Sequence, residues 1–268
     1  MGGRHAPAPQ LNGQPATYGF SNHVTTLLEA RELNKAFGGL QAVRDCSFKV
    51  EAGSITSLIG PNGAGKTTAF DVINGIITAD SGSVFFDGRD VTGYLPHKLT
   101  RLGISRTFQL TRDLRDLTVL ENMVVSSLVG GWRGLLGSKV LSRERDRAME
   151  LLDFVGITHL AATSAKKLSY GQKKLLEFAS VLMSEPKLIL LDEPGGGINP
   201  ALLERIVDRI RALQKSGISF LIIEHKMDMV MQLSDKVVVM AHGEVLAQGT
   251  ADEIQRDDTV LGAYLGRA

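Results

Sequence analysis

Residues 60–68 read Gly60-Pro61-Asn62-Gly63-Ala64-Gly65-Lys66-Thr67-Thr68. This string fits the phosphate-loop pattern G-x-x-x-x-G-K-[ST]. Its surroundings fit as well. The apolar run Ile55–Ile59 predicts a buried strand, and residues 66–76 predict a helix opened by the glycine-rich turn. Each residue type has a physical reason. The glycines let backbone N–H groups close on an anion, and the following helix points its positive end at the same place. Lys66 supplies a compact charge for the β- and γ-phosphates. The Thr67 hydroxyl suits Mg²⁺, and Thr68 suits a phosphate oxygen.

A phosphate loop needs an acidic residue at the end of a neighbouring buried strand. The stretch Leu188-Ile189-Leu190-Leu191-Asp192-Glu193 provides it. Asp192 emerges where open α/β sheets bind ligands and is expected to hold Mg²⁺. Glu193 is placed to polarise a water. A second anion-binding helix start is expected at Leu168-Ser169-Tyr170-Gly171-Gln172, ahead of the helical run 173–182.

Outward from these motifs, strand-like and helix-like segments alternate. Strands are expected at 26–33, 42–50, 83–86, 103–108, 188–191 and 218–223, with a hairpin of 236–240 and 245–247 about His242-Gly243. Helices are expected through much of 96–184 and at Pro200–Lys215. The alternation implies an α/β fold with a mainly parallel sheet. Residues 1–25, rich in Gly, Pro, Ala, Asn and Gln, read as a disordered tail without the apolar core of a secretion signal. The glycine-punctuated stretch 130–138 holds the single Trp132. It reads either as a loop packed on its own domain or as a contact patch for a partner or membrane.

The bulk numbers exclude several classes. Lys and Arg number 30 and Asp and Glu 29 in 268 residues, giving a net charge of +1. That balance gives no reason to expect nucleic-acid binding. Cys46 stands alone, so neither an internal disulfide nor a zinc cluster is expected. It reads as a small core residue. No run approaches the roughly 18–20 apolar residues of a membrane span.

The ordered motifs resemble the ABC (ATP-binding cassette) ATPases from about Leu27 onward. Ser169 lies 23 positions before Asp192, in the order that family shows. The resemblance implies a P-loop NTPase fold: a RecA-like parallel core, an antiparallel β subdomain and a helical signature subdomain. It implies one ATPase domain over 26–268, with core 26–95 and 185–268 and helical subdomain about 96–184. It also assigns roles. Phe37 would stack on adenine. Gln109 would touch Mg²⁺ and sense a membrane partner, and His225 would contact the γ-phosphate. Gly60, Pro61, Asn62, Gly63, Ala64, Gly65, Lys66, Thr67 and Thr68 would cradle ATP against Ser169, Gly171 and Gln172 of a second subunit. Mg²⁺ would be shared by Thr67, Gln109 and Asp192.

Finer resemblance is to the LivG-like ATPases of branched-chain amino-acid importers. It is carried by 37–42, 103–109, 117–122, 191–194, 197–200, 224–228 and the tail segments 249–254 and 263–266. Departures are Tyr170 at a usual glycine, Gly195-Gly196 where alanines are common, Asn199 where an Asp is usual, and Lys226 where an acidic residue is frequent. The implied partners are separate permease subunits, a second ATPase subunit and, indirectly, a substrate-binding protein. The implied location is the cytoplasmic face of the inner membrane. Urea, amide and lipid-transport systems, and ATPases outside transport, are the alternative readings.

Overall fold

The computed structural model describes residues 25–107, 116–127 and 138–265. Residues 1–24 of the expected tail 1–25, residues 130–137 of the stretch 130–138, and Gln109 lie outside the described residues.

Two sheets organise the chain. Four antiparallel strands stand in the order β2-β1-β4-β5: β1 Thr26–Phe37, β2 Leu40–Glu51, β4 Ser81–Phe86 and β5 Arg89–Asp90. Six strands form the second sheet, in the order β10-β9-β3-β8-β7-β6. Of these, β3 (Ile55–Ile59), β6 (Ile104–Arg106), β7 (Leu188–Asp192), β8 (Ser219–Ile223) and β9 (Lys236–Ala241) run parallel. Only β10 (Glu244–Gly249) is antiparallel, paired to β9 through the expected hairpin.

The strand sequences explain this placement. All five residues of β3 and all five of β8 are buried, as expected for parallel strands covered on both faces. Period two then sends alternate side chains to different cores. Phe220 and Ile222 join a core with Ile189, Leu191, Leu176 and Ile210. Leu221 and Ile223 join another with Leu188, Leu190, Phe70 and Phe48. The first core is covered by α4 (Ser138–Val155), α5 (Tyr170–Leu182) and α6 (Pro200–Lys215). The second is covered by α1 (Lys66–Ile73) and the antiparallel sheet. The outermost strand β10 alternates between exposed and half-buried residues.

Two local expectations need correction. The first helix ends at Ile73, not at residue 76. Gly75 turns left-handed (φ 69°), and a side chain there would meet the Tyr94 carbonyl. The strand expected at 103–108 shortens to Ile104–Arg106 among the described residues, but it pairs in parallel with β7. These three residues, reached through α2 (Pro96–Leu102), form the edge of the core sheet. Thr25 is not free either: its carbonyl accepts a hydrogen bond from the Ala52 amide (2.9 Å).

Cys46 is fully buried on β2, and burial pushes its thiol up to about 12. A thiol so placed is not a nucleophile near neutrality. Native protein is expected to leave a thiol-reactive disulfide reagent unreacted at pH 8 and to titrate one thiol after urea unfolding. Rapid labelling before unfolding would contradict this packing.

Candidate active site

The site sits at the carboxyl ends of β3, β7 and β8. Residues 60–65 connect β3 to α1. Gly65 precedes α1 with φ 94°, and a Cβ there would lie 2.2 Å from the Ala42 carbonyl oxygen. Only glycine fits this turn. The first turns of α5, α6 and the short α8 (Ala251–Gln255) are capped by Ser169, Asn199 and Thr250. The start of α1 has no side-chain cap. Its opening N–H groups are therefore available to an anion.

Lys66 is buried and folds back over the loop. Its Nζ donates to the carbonyls of Gly60 (2.8 Å) and Pro61 (2.9 Å). Burial holds its ammonium below the ordinary lysine range, while the carboxylates of Glu193 and Asp192 pull it back up. Thr67 is exposed and Thr68 half-buried in the first turn of α1. The arrangement fits a polyphosphate: an uncapped helix start, a glycine turn and one cation. It also fits Mg²⁺ held largely by phosphate and water, which needs only one or two protein oxygens. Among the described residues no cluster of three or more His, Cys, Asp or Glu forms a metal cage.

Asp192 closes β7 opposite Ile223, and Glu193 follows with φ 47°. The Glu193 amide donates to the Ile223 carbonyl (2.9 Å), which fixes this left-handed turn against β8. His225 leaves the end of β8, and its Nε2 lies 2.6 Å from Glu193 Oε1. The structure thus brings Lys66, Asp192, Glu193 and His225 to one edge of the sheet.

Two charged groups support that edge, the buried Glu224 and the largely covered Arg106, and both lie inside the longer matching stretches 224–228 and 103–109. Glu224 is 2% exposed. One carboxylate oxygen accepts from the amides of His225 (2.9 Å) and Lys226 (3.1 Å), the other from the Gly195 amide (3.2 Å). It therefore pins the backbone on both sides of the Glu193–His225 contact. Its signal was available: an acid directly after an apolar strand, as at Asp192. Arg106 closes β6. Its guanidinium pairs with Asp71 on α1 and with Asp192 Oδ2 (2.9 Å) and stacks on Phe70 (4.9 Å to the ring centroid). One side chain thus ties the phosphate-loop helix to the acidic strand end. Nothing in the local sequence announces a pairing between residues 35 and 86 positions apart.

Ser169, Gly171 and Gln172 open α5. Ser169 Oγ accepts from the Gln172 amide (3.3 Å), and Gln172 Oε1 accepts from the Ser169 amide (2.8 Å). This reciprocal pair is a capping box. Among the described residues no hydrogen bond or ion pair joins 169–172 to the loop 60–68. Phe37 ends β1 half exposed, with Lys35 Nζ 5.5 Å from its ring centroid.

Glu177, on α5, is 8% exposed and lines a small cavity with Thr107, Asp192 and Pro194. Burial raises its carboxyl to about 7, with Lys174 pulling it down and Asp192 pushing it further up. The folded chain then keeps a proton between about pH 4.5 and 7 that the unfolded chain has released, so this group's contribution to stability falls as pH rises through that window. Glu177→Gln is expected to gain on the wild type by roughly 2–3 kcal/mol between pH 4.5 and pH 8 in urea unfolding. A pH-independent difference would overturn the assignment. Arg106→Met leaves two carboxylates uncompensated, and a loss of about 3 kcal/mol or more is expected. Asp71→Asn, which removes one partner only, is expected to cost less. Equal, sub-kcal losses in both would deny the bridge its structural weight.

Comparison with known proteins places this geometry. Residues 43–196 match the family model described as ABC transporter. Residues 244–268 match one described as branched-chain amino acid ATP-binding cassette transporter. The chain is 42% identical over 245 residues to a probable branched-chain amino acid transport ATP-binding protein LivG of Archaeoglobus fulgidus, covering 90% of this chain and 95% of that protein. It is 38% identical over 251 residues to the high-affinity branched-chain amino acid transport ATP-binding protein BraF of Pseudomonas aeruginosa, covering 90% and 98%. The crystal structure of the ADP conformation of an ATP-binding cassette from an ABC transporter superposes with a TM-score of 0.81 at 35% identity, covering 90% of this chain and 99% of that one. An uncapped phosphate helix, an acid-ended parallel strand and a Glu–His contact, in a chain this similar over nine-tenths of its length, leave one conclusion: the chain belongs to the ABC transporter ATPases, among relatives of the LivG type.

Proposed function

We propose that this chain binds and hydrolyses ATP to power an importer of branched-chain or related amino acids, through permease subunits on other chains at the cytoplasmic face of the membrane. The observation that carries the hydrolytic part is the meeting of Lys66, Asp192, Glu193 and His225 at the carboxyl ends of β3, β7 and β8. The cargo class rests on the relatives and on the C-terminal match at 244–268. Among the described residues no helix is long and apolar enough to cross a membrane, so a membrane path would come from partners.

In this reading the loop 60–68 receives the β- and γ-phosphates through backbone N–H groups and Lys66. Lys66 exchanges two neutral carbonyl partners for anionic oxygens, a stronger class of hydrogen bond. Phe37 offers its exposed face to the adenine. Thr67, Asp192 and Gln109 would hold Mg²⁺, which supplies charge neutralisation at the phosphates. Glu193 orients the attacking water and accepts its proton. The new P–O bond forms as the bond from γ-phosphorus to the bridging oxygen breaks, giving ADP and phosphate. His225 keeps Glu193 in place and faces the γ-phosphate, with Lys66 countering the charge that builds there. The protein's part is positioning and electrostatics.

A second subunit completes the site. Among the described residues, the helix start at Ser169–Gln172 forms no hydrogen bond or ion pair with the loop 60–68, and its amides outside the Ser169–Gln172 capping box suit a phosphate on a neighbouring ATPase. Closing two subunits head to tail around ATP, then opening after hydrolysis, would drive the permease.

Glu193→Gln is expected to lower turnover at least about 100-fold while ATP still binds, because the amide keeps the shape but accepts no proton. Wild-type turnover in the purified variant would remove Glu193 from its role. In cells lacking this gene, leucine uptake should fall and return with the wild-type gene. Intact leucine uptake with lost urea or amide uptake would move the cargo assignment.

A further inference from the structure

Four departures from the family pattern, Tyr170, Gly195, Gly196 and Lys226, meet at one short segment. Residues 194–199 link Glu193 to α6 and contain three consecutive glycines, Gly195, Gly196 and Gly197. Glycine loses more conformational freedom on ordering than any other residue, so such a turn takes its order from contacts made to it. Those contacts are present. The Gly195 amide donates to Glu224, and the Gly195 carbonyl accepts from Lys226 Nζ at 2.7 Å. The Gly196 amide donates to the Glu193 carbonyl (2.9 Å), and the Gly196 carbonyl accepts from the Tyr170 hydroxyl at 3.3 Å. The Tyr170 ring also packs on Gly197, where a Cβ would meet it at 3.1 Å. At the far end Asn199 Oδ1 accepts from the Leu202 amide (2.9 Å) and anchors α6.

Lys226 is not spent on its own helix. It stands at the start of α7 (Met227–Leu233), where an ammonium has no acceptor to offer the helix amides. Its amine crosses instead to the glycine turn, 31 residues back in the chain. Tyr170 reaches the same turn from the start of α5, 26 residues ahead of it. The two grips come from the elements that carry His225 and Ser169, respectively.

We propose that Lys226 and Tyr170 are positioning residues that hold the glycine turn and thereby set Glu193 against His225, tying the α5 start to the hydrolytic pair within one chain. The inference rests on the reading of Glu193 and His225 as that pair. A shift of Ser169–Gln172 is carried by the Tyr170 hydroxyl to Gly196, whose amide holds the Glu193 carbonyl. Lys226 fixes the same turn from the His225 side. Because the glycines have no preference of their own, the turn follows whichever grip moves.

The test compares Lys226→Met, Lys226→Arg, Tyr170→Phe and Glu193→Gln in the purified full-length chain. Losing one such hydrogen bond is expected to lower kcat about 5- to 10-fold in Lys226→Met and about 2- to 4-fold in Tyr170→Phe. KM and the dissociation constant of a fluorescent ATP analogue should stay within about twofold. Lys226→Arg, which keeps a donor, should restore most of the turnover. Hydrogen exchange should quicken at the Gly195 and Gly196 amides in both loss variants and stay unchanged in β3 and α1. Unchanged kcat, a fall matched by equal loss of ATP affinity, or unchanged exchange at the turn would each overturn the proposal. Glu193→Gln separates the levels. An active Glu193→Gln removes the underlying reading, whereas an inactive one beside unaffected Lys226 and Tyr170 variants removes the tether alone.

Discussion

The register of three parallel strands is the constraint from which the rest of the molecule follows. Leu58 on β3 stands beside Ile223 on β8, which stands beside Asp192 on β7. This single row lines up three strand ends. Two residues beyond Leu58 the chain enters the phosphate loop; one beyond Asp192 it reaches Glu193; two beyond Ile223 it reaches His225. A slip of one residue would turn every side chain of a strand to the opposite face. Here that would exchange the residues of two distinct cores, so the apolar packing on both faces enforces this alignment of strand ends.

Charge at the site is tolerated because nearly all of it is shared. Lys66 is buried against two carbonyls, Glu224 against three backbone amides, and Arg106 between two carboxylates. Each would be costly alone, since a buried charge is stable only when paired or hydrogen-bonded. Together they form a rigid frame around a more exposed pair, Glu193 and His225, whose side chains are 51% and 39% accessible. Rigid support beneath accessible side chains is what positioning catalysis would require of Glu193 and His225 in their proposed roles. Glu177 stands apart, a buried carboxyl with only a distant lysine, 3.9 Å away, for a partner. Its raised pKa reflects that poor compensation.

The frame draws on segments far apart in the chain. The edge strand β6 and its Arg106 come from between α2 and α3 (Val119–Ser127), yet they complete the sheet that begins with β3. One guanidinium thus links this segment to Asp192. The start of α5 touches the glycine turn after Glu193 through the Tyr170 hydroxyl. The site is thus connected by single side chains to two segments distant from it in the chain.

The sequence alone determined the elements that announce themselves locally. A buried strand running into a glycine turn and Lys66 has few physical meanings, and neither has Asp192-Glu193 after four aliphatic residues. The alternation of strand-like and helix-like segments marked a mainly parallel sheet, and Ser169 ahead of the helical run 173–182 marked a helix start. The tertiary structure decided what depends on distance through space: that Arg106 bridges Asp71 and Asp192, that Glu224 gathers the amides around His225, that Gly75 stops α1 early, and that Lys226 and Tyr170 converge on one turn. Local propensity and period are properties of neighbouring residues and can be read along a chain. Ion pairs and hydrogen bonds between residues tens of positions apart depend on how strands order themselves in a sheet, and packing of the whole core sets that order.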